Sequence, residues 1–187
     1  NVVTLYDLLP DTSYQLVLKG EDWQELTYVT TKRESYTLNV KDFGAKGDGK
    51  ANDTQAIQAA LYACPRKGRV VIPPGDYIFH SLFFKSHTNL EIQKGARLQA
   101  IESTRERAIL PGLTRDYQGG EYYLGSWEGN PLDCYAGLFT LLDVEDVNIY
   151  GEGVIEANAS KSGFWSKPKE KDGAWRPRTI FMRRVKD

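Results

Sequence analysis

The sequence predicts an all-β chain, most of it a solenoid of short stacked strands, and three observations carry that reading. From Arg69 onward, short runs rich in β-branched and aromatic residues are punctuated by glycine, proline and asparagine, with no further helical period. The runs are about three to five residues long, too short for most sandwiches but suited to a coil that buries its face on its neighbour. Residues 88–98 and 145–155 repeat one pattern: an apolar alternation, a short turn containing glycine, then a second strand. Equivalent corners of successive coils leave such an imprint.

Residues 1–33 read as strands with one apolar face. Val3 and Leu5 alternate before a turn at Leu9-Pro10-Asp11-Thr12, Tyr14, Leu16 and Leu18 alternate after it, and Leu26, Tyr28 and Thr30 suggest a third strand. Three such strands make a simple meander or an incomplete sandwich, because a second sheet is needed to cover their apolar face. The polar junction of residues 32–35 is the expected domain boundary, leaving 1–33 and 36–187 as two units. After a short strand at residues 36–40, Gly44, Gly47 and Gly49 predict a tight loop. Asn52 is placed to cap a following helix, with Gln55 completing a capping box and Ala56, Ile57, Ala60 and Leu61 forming its apolar face. Cys64-Pro65 and Gly68 end it, and the helix is expected to cover the first rung of the stack. Residues 101–133, rich in tyrosine and glycine with few apolar runs, read as a functional loop thrown out from one coil.

Composition removes several function classes. Lysine and arginine number 24 against 25 acidic residues, a net charge of −1, so the basic surplus that nucleic acids or anionic membranes attract is missing. Nor does any stretch approach the roughly 18 to 20 apolar residues of a membrane span. The chain opens on Asn1 without the basic start, apolar core and small-residue cleavage site of a signal peptide, and it reads as cut at both ends. Cys64 and Cys134 lack metal-ligand spacing and are either paired or free.

The run Asp42-Phe43-Gly44-Ala45-Lys46-Gly47-Asp48-Gly49, followed by Asn52-Asp53-Thr54-x-Ala56-Ile57-x-x-Ala60 and Val70-x-Ile72-Pro73-Pro74-Gly75-x-Tyr77, resembles the N-terminal signature of the pectin-lyase-like superfamily. The distal half is similar to polygalacturonases of glycoside hydrolase family 28: Ile149-Tyr150-Gly151-Glu152-Gly153-Val154-Ile155-Glu156-Ala157-Asn158, then Phe164-Trp165 and Arg176-Pro177-x-x-Ile180. Glu156-Ala157 and Phe164 depart from the Asp-Gly and first tryptophan of that pattern, away from the endo-acting fungal enzymes. Leu9-Pro10-Asp11-Thr12-Ser13-Tyr14 resembles the E to F corner of a fibronectin type III domain, where a tyrosine hydroxyl bonds to upstream backbone. Such a domain ahead of the coils resembles bacterial exo-polygalacturonases. The resemblance therefore implies a right-handed, single-stranded parallel β-helix with a capping helix, preceded by part of a fibronectin type III-like sandwich. It further implies a secreted or periplasmic hydrolase acting on polygalacturonate or oligogalacturonides by inversion, without a cofactor or metal.

Inverting glycoside hydrolysis needs a carboxylic acid on the leaving oxygen and a carboxylate base on water. Family 28 supplies these from N-T-D, D-D and G-H-G motifs, with R-I-K for the uronate carboxylate, and the sequence contains none of the four. The resemblance places them beyond Asp187, so no catalytic residue is expected within the chain and the fragment alone is expected to be inactive. Trp127 and Glu128 are candidate sugar-binding residues, the indole to stack a ring and the carboxylate to bond hydroxyls, with packing as the alternative for Trp127. Arg176 is a candidate partner for a substrate carboxylate, with a structural ion pair as its alternative, and Trp165 and Trp175 are placed to line the same surface. Asp48 and Asp53 are read as turn and cap residues, and His80 and His87 as coil or corner residues. Two rival functions share the superfamily signature: a non-hydrolytic polysaccharide-binding β-helix of the adhesin or tail-spike type, and a calcium-dependent lyase.

Overall fold

The computed structural model describes residues 3–34, 36–103, 106–161, 164 and 167–186. From Thr37 onward the chain winds so that every third strand stacks in parallel on one a coil earlier, giving three parallel sheets around one core. The first sheet holds Thr37–Asn39, Arg69–Ile72, Thr88–Ile92 and Val147–Gly151, the second Asp48–Asn52, Gly75–Phe79, Ala96–Ala100 and Val154–Glu156, and the third Leu82–Phe83, Phe139–Leu142 and Ile180–Arg183. Register carries like residues onto like: Leu38, Val70, Leu90 and Ile149 form one column, and Tyr77, Leu98 and Ile155 another. These side chains point inward with Phe79, Leu82 and Phe139, where Phe139 meets Phe79 at 6.0 Å and Phe84 at 5.6 Å between ring centroids.

The repeat at residues 88–98 and 145–155 does mark equivalent corners, with one correction. Leu98 pairs with Ile155, but Leu90 pairs with Ile149 rather than Val147, because the turn between the two strands is shorter in the second copy. A slip of two residues keeps the same face inward, so the apolar pattern conceals it. Gly151 falls opposite Ile92, where a Cβ would lie 2.0 Å from the Ile92 carbonyl oxygen, and only glycine fits.

The glycine loop is tighter than a plain turn. Gly44, Gly47 and Gly49 all have positive φ, and a Cβ on Gly47 would strike the buried Tyr77 ring at 2.8 Å. Part of this loop, Asp48–Asn52, pairs with Gly75–Phe79 through a bulge and becomes the first strand of the second sheet. The helix Thr54–Ala63 begins at Asp53, not Asn52, and the predicted capping box does not form. Asp53 is turned away because its carboxylate accepts hydrogen bonds from Lys46 N at 2.6 Å and Gly47 N at 3.0 Å, fastening the loop. Asn52 Oδ1 accepts from Thr54 N at 3.1 Å instead. Ile57, Ala60 and Leu61 enter the core. The helix stands in for the strand that the third sheet lacks in the first coil: Gln58 donates to Phe83 O and accepts from Phe83 N, both at 2.8 Å, as a neighbouring strand would.

Ahead of the coils, Ser13–Lys19 and Gln24–Thr30 form an antiparallel hairpin. Residues 3–12 are not a strand, correcting the expectation for Val3 and Leu5; the described chain there is pinned by turns, with Leu9 N donating to the Tyr14 hydroxyl at 2.7 Å. Val17, Leu18, Leu26 and Tyr28 of the hairpin are exposed. No described helix is long and apolar enough to cross a membrane.

Candidate functional site

Residues 101–133 are not an open loop. They fold into antiparallel pairs, Leu113–Arg115 with Glu121–Tyr123 and Ser126–Trp127 with Asn130–Pro131, and Ile109–Leu110 joins the returning strand Cys134–Tyr135. The turn between Ser126–Trp127 and Asn130–Pro131 has two central residues, Glu128 at φ 48° and Gly129 at φ 80°, the left-handed pair that matches the twist of a two-residue hairpin. Trp127 is thereby held at the base of a tight turn and Glu128 at its tip.

The returning strand stitches this excursion to a distant segment. Trp175 N donates to Asp133 O at 2.7 Å and Tyr135 N donates to Trp175 O at 2.8 Å. Trp175 consequently lies against Trp127, with ring centroids 5.0 Å apart and planes tilted by 47°. The Arg176 guanidinium covers both rings, at 4.5 Å from the Trp175 centroid and 5.6 Å from that of Trp127, and its Nη1 donates to Pro168 O. Arg178 Nη2 donates to Ser126 O at 3.1 Å, tying the hairpin down from the other side. Of the sequence candidates, Trp127, Trp175 and Arg176 thus meet in one cluster, Glu128 stands exposed beside them, and Trp165 lies outside the described residues. Trp127 keeps 38% of its surface exposed, enough for a ring face to remain available.

Beyond Arg176 opens a cleft of about 350 Å³ walled by Arg107, Phe164, Arg176, Pro177, Arg178 and Leu138. Its described lining contains three arginines and no carboxylate. Arg107 and Arg178 were not among the sequence candidates. Arg107 lies in residues 101–133, the stretch that reads as a loop, and only the fold reveals that it is buried; Arg178 stands two residues from Arg176. Burial pushes the Arg107 guanidinium below its ordinary pKa and the Cys134 thiol above its own. Cys64 and Cys134 are both free and buried.

The remaining candidates are structural. Asp48 Oδ1 accepts from Lys50 N and Ala51 N, each at 2.9 Å, and Asp53 fastens the glycine loop. His80 Nε2 sits 2.9 Å from Glu106, and His87 occupies a corner at φ 60° facing Asp146 at 3.2 Å. Among the described residues no group of three or more potential ligands gathers around a metal position. A separate hollow of about 540 Å³ lies between residues 8–34 and the first sheet, where the Arg69 guanidinium is already paired with Glu34 and Glu91.

Residues 37–96 match the family model described as rhamnogalacturonase A/epimerase, pectate lyase-like. Over 158 residues the chain is 28% identical to an exo-poly-α-D-galacturonosidase of Dickeya chrysanthemi, covering 84% of this chain and 25% of that protein. It is 44% identical over 117 residues to the plasmin and fibronectin-binding protein A of Streptococcus pneumoniae, covering 56% of this chain and 16% of that one. The solved family 28 exopolygalacturonase of Yersinia enterocolitica aligns with a TM-score of 0.68 at 22% identity over 97% of this chain and 39% of its own length. The chain thus spans about a quarter or less of these two curated relatives.

Proposed function

We propose, for a chain whose fold is the right-handed pectin-lyase-like β-helix, that it is the front part of a family 28 glycoside hydrolase degrading pectin. The whole protein hydrolyses α-1,4 galacturonosidic bonds of polygalacturonate by inversion and trims units from chain ends. What carries this reading is the resemblance to an exo-acting galacturonosidase through both the fold signature and the distal coils, over 84% of the chain. The chemistry of the cleft supports it: an indole face flanked by arginines suits a polymer whose every ring carries a carboxylate. Trp127 stacks a sugar ring, Glu128 bonds its hydroxyls, and Arg176 contributes charge from over the tryptophans. The acid and base come from coils beyond Asp187. Residues 1–33 are the last strands of a fibronectin type III-like domain, a reading supported by the Tyr14 hydroxyl that receives Leu9 N. A polymer substrate of plant walls puts the protein outside the cytoplasm, secreted or periplasmic.

A second reading has its own observation. The 44% identity to a plasmin and fibronectin-binding protein favours a surface β-helix that binds without hydrolysis. The full-length protein incubated with polygalacturonate separates the two. Release of galacturonate with new reducing ends, the first-formed product in the β configuration by proton NMR, is the expected result. A product with ultraviolet absorption from an unsaturated ring means a lyase. Retention on the polymer without any product means the binding protein.

A further inference from the structure

We propose that the cleft of Arg107, Arg176 and Arg178 is a carboxylate-binding pocket, charged from beneath by Arg107, that receives one hexuronate residue. Arg107 is only 6% exposed. Its Nη2 donates to Ile101 O at 2.5 Å, while Nε and Nη1 are buried with no hydrogen-bond partner among the described residues. The adjacent acid does not compensate it: Glu106 is directed to His80 at 2.9 Å and Asn52 at 3.3 Å. An arginine does not escape burial by losing its proton, because its intrinsic pKa is too high. A buried, uncompensated guanidinium is strongly unfavourable unless an anion answers it.

The surroundings specify which anion. The cleft holds about 350 Å³, at the small end of the roughly 300 to 1,000 Å³ typical of small-molecule sites, so it accommodates a single residue. Phe164, Pro177 and Leu138 form apolar walls that reduce screening by water, and Arg176 and Arg178 repeat the same sign of charge at its sides. Guanidinium forks match the planar carboxylate in two hydrogen bonds, a geometry that a lysine cluster does not offer. The stacked Trp127 and Trp175 beside Arg176 provide the ring-binding face next door. An acidic sugar satisfies both halves, whereas a neutral sugar leaves the Arg107 charge unanswered. The choice of hexuronate rests on the pectin reading above; the selectivity for a carboxylate does not.

The test uses the full-length protein, with galacturonate and galactose titrated separately and followed by tryptophan fluorescence. Galacturonate is expected to bind and galactose not to. Arg107→Gln is expected to weaken galacturonate binding by about 10- to 100-fold, the usual loss for a charged hydrogen-bonding partner, and Arg107→Lys to weaken it less. Unchanged galacturonate affinity in both variants overturns the proposal, as does a lowered ligand-free stability with unaltered affinity. Should Arg107→Gln fail to fold, Arg107→Lys decides alone, with unchanged affinity as the overturning result. The hydrolase reading fails separately. A protein that releases no product from polygalacturonate yet binds galacturonate through Arg107 keeps the pocket and loses the hydrolase, and the converse pattern keeps only the hydrolase.

Discussion

In the coil stack each strand pairs in parallel with one a full turn away, while in residues 101–133 Leu113–Arg115 and Ser126–Trp127 each pair antiparallel with the next strand along the chain. The stack is held by columns of buried apolar side chains, so its order is collective and a change in one coil is felt by the next. The excursion is held by turns and a few long-range ties: the left-handed pair at Glu128 and Gly129, the Asp116 carboxylate bonding Gln118 N and Gly120 N, and the Arg178 bond to Ser126. The first arrangement gives rigidity along an axis. The second frees side chains such as Trp127 from the core and presents them to solvent, which is why the candidate site lies on it. The division follows a general separation between a packed scaffold and function-bearing loops.

The largest effect expected from this contrast is in the stack. Phe139 is fully buried at the junction of Phe79 and Phe84, and Phe139→Ala removes the ring from both contacts. A loss of about 3 to 5 kcal/mol is expected from the lost burial and the cavity left behind. Urea unfolding of the variant checks it, and a loss below about 1 kcal/mol would mean that the coils do not share one core.

The same contrast governs what could be read from the residues alone. The strands of the stack were legible because apolar alternation has a period of two, and the helix because Ile57, Ala60 and Leu61 fall on one helical face. The two-residue slip between the repeated corners was hidden by that very period, and the true cap because Asp53 and Asn52 are equally good capping residues until the glycine loop claims one of them. In the excursion no alternation exists to be read: its strands span only two or three residues, and their pairing depends on left-handed turn residues. Trp127 and Arg176 were identified as residue types suited to a sugar acid, but their meeting through Trp175 depends on a bridge to Cys134 with no sequence signal. Arg107 was invisible for a further reason. It lies in a stretch without apolar alternation, and its burial is a property of the fold rather than of its sequence neighbours.

A smaller effect on stability, with a larger one on binding, is expected at Trp127. Trp127→Ala removes an indole that is partly exposed and contacts Trp175 and Arg176, contributions of roughly 1 kcal/mol together, so the unfolding midpoint should move far less than in Phe139→Ala. Affinity for a short oligogalacturonide, measured by calorimetry on the full-length protein, should drop about tenfold, the size of one lost stacking contact. A large stability loss with unaltered affinity would make Trp127 a packing residue and move the sugar face elsewhere.

The smallest expected effect returns to the stack and asks how far its cooperative unit extends. Asp48 is fully exposed, yet the backbone N–H groups of Ala51 and then Lys50 hold its carboxyl below the ordinary value of 3.8. A folded pKa below the unfolded one means that the ionised carboxylate favours the fold, so this contribution is fully present above the unfolded value and is lost as pH falls through the folded one. Asp48→Asn keeps an acceptor oxygen but has no proton to gain. The stability difference between the two proteins should therefore be constant above about pH 5 and shrink as pH falls below the ordinary carboxylate range. Urea titrations across that range measure it. A difference that stays flat into acid would show that the Asp48 turn opens independently of the coils it begins, and that cooperativity in the stack starts only at the second coil.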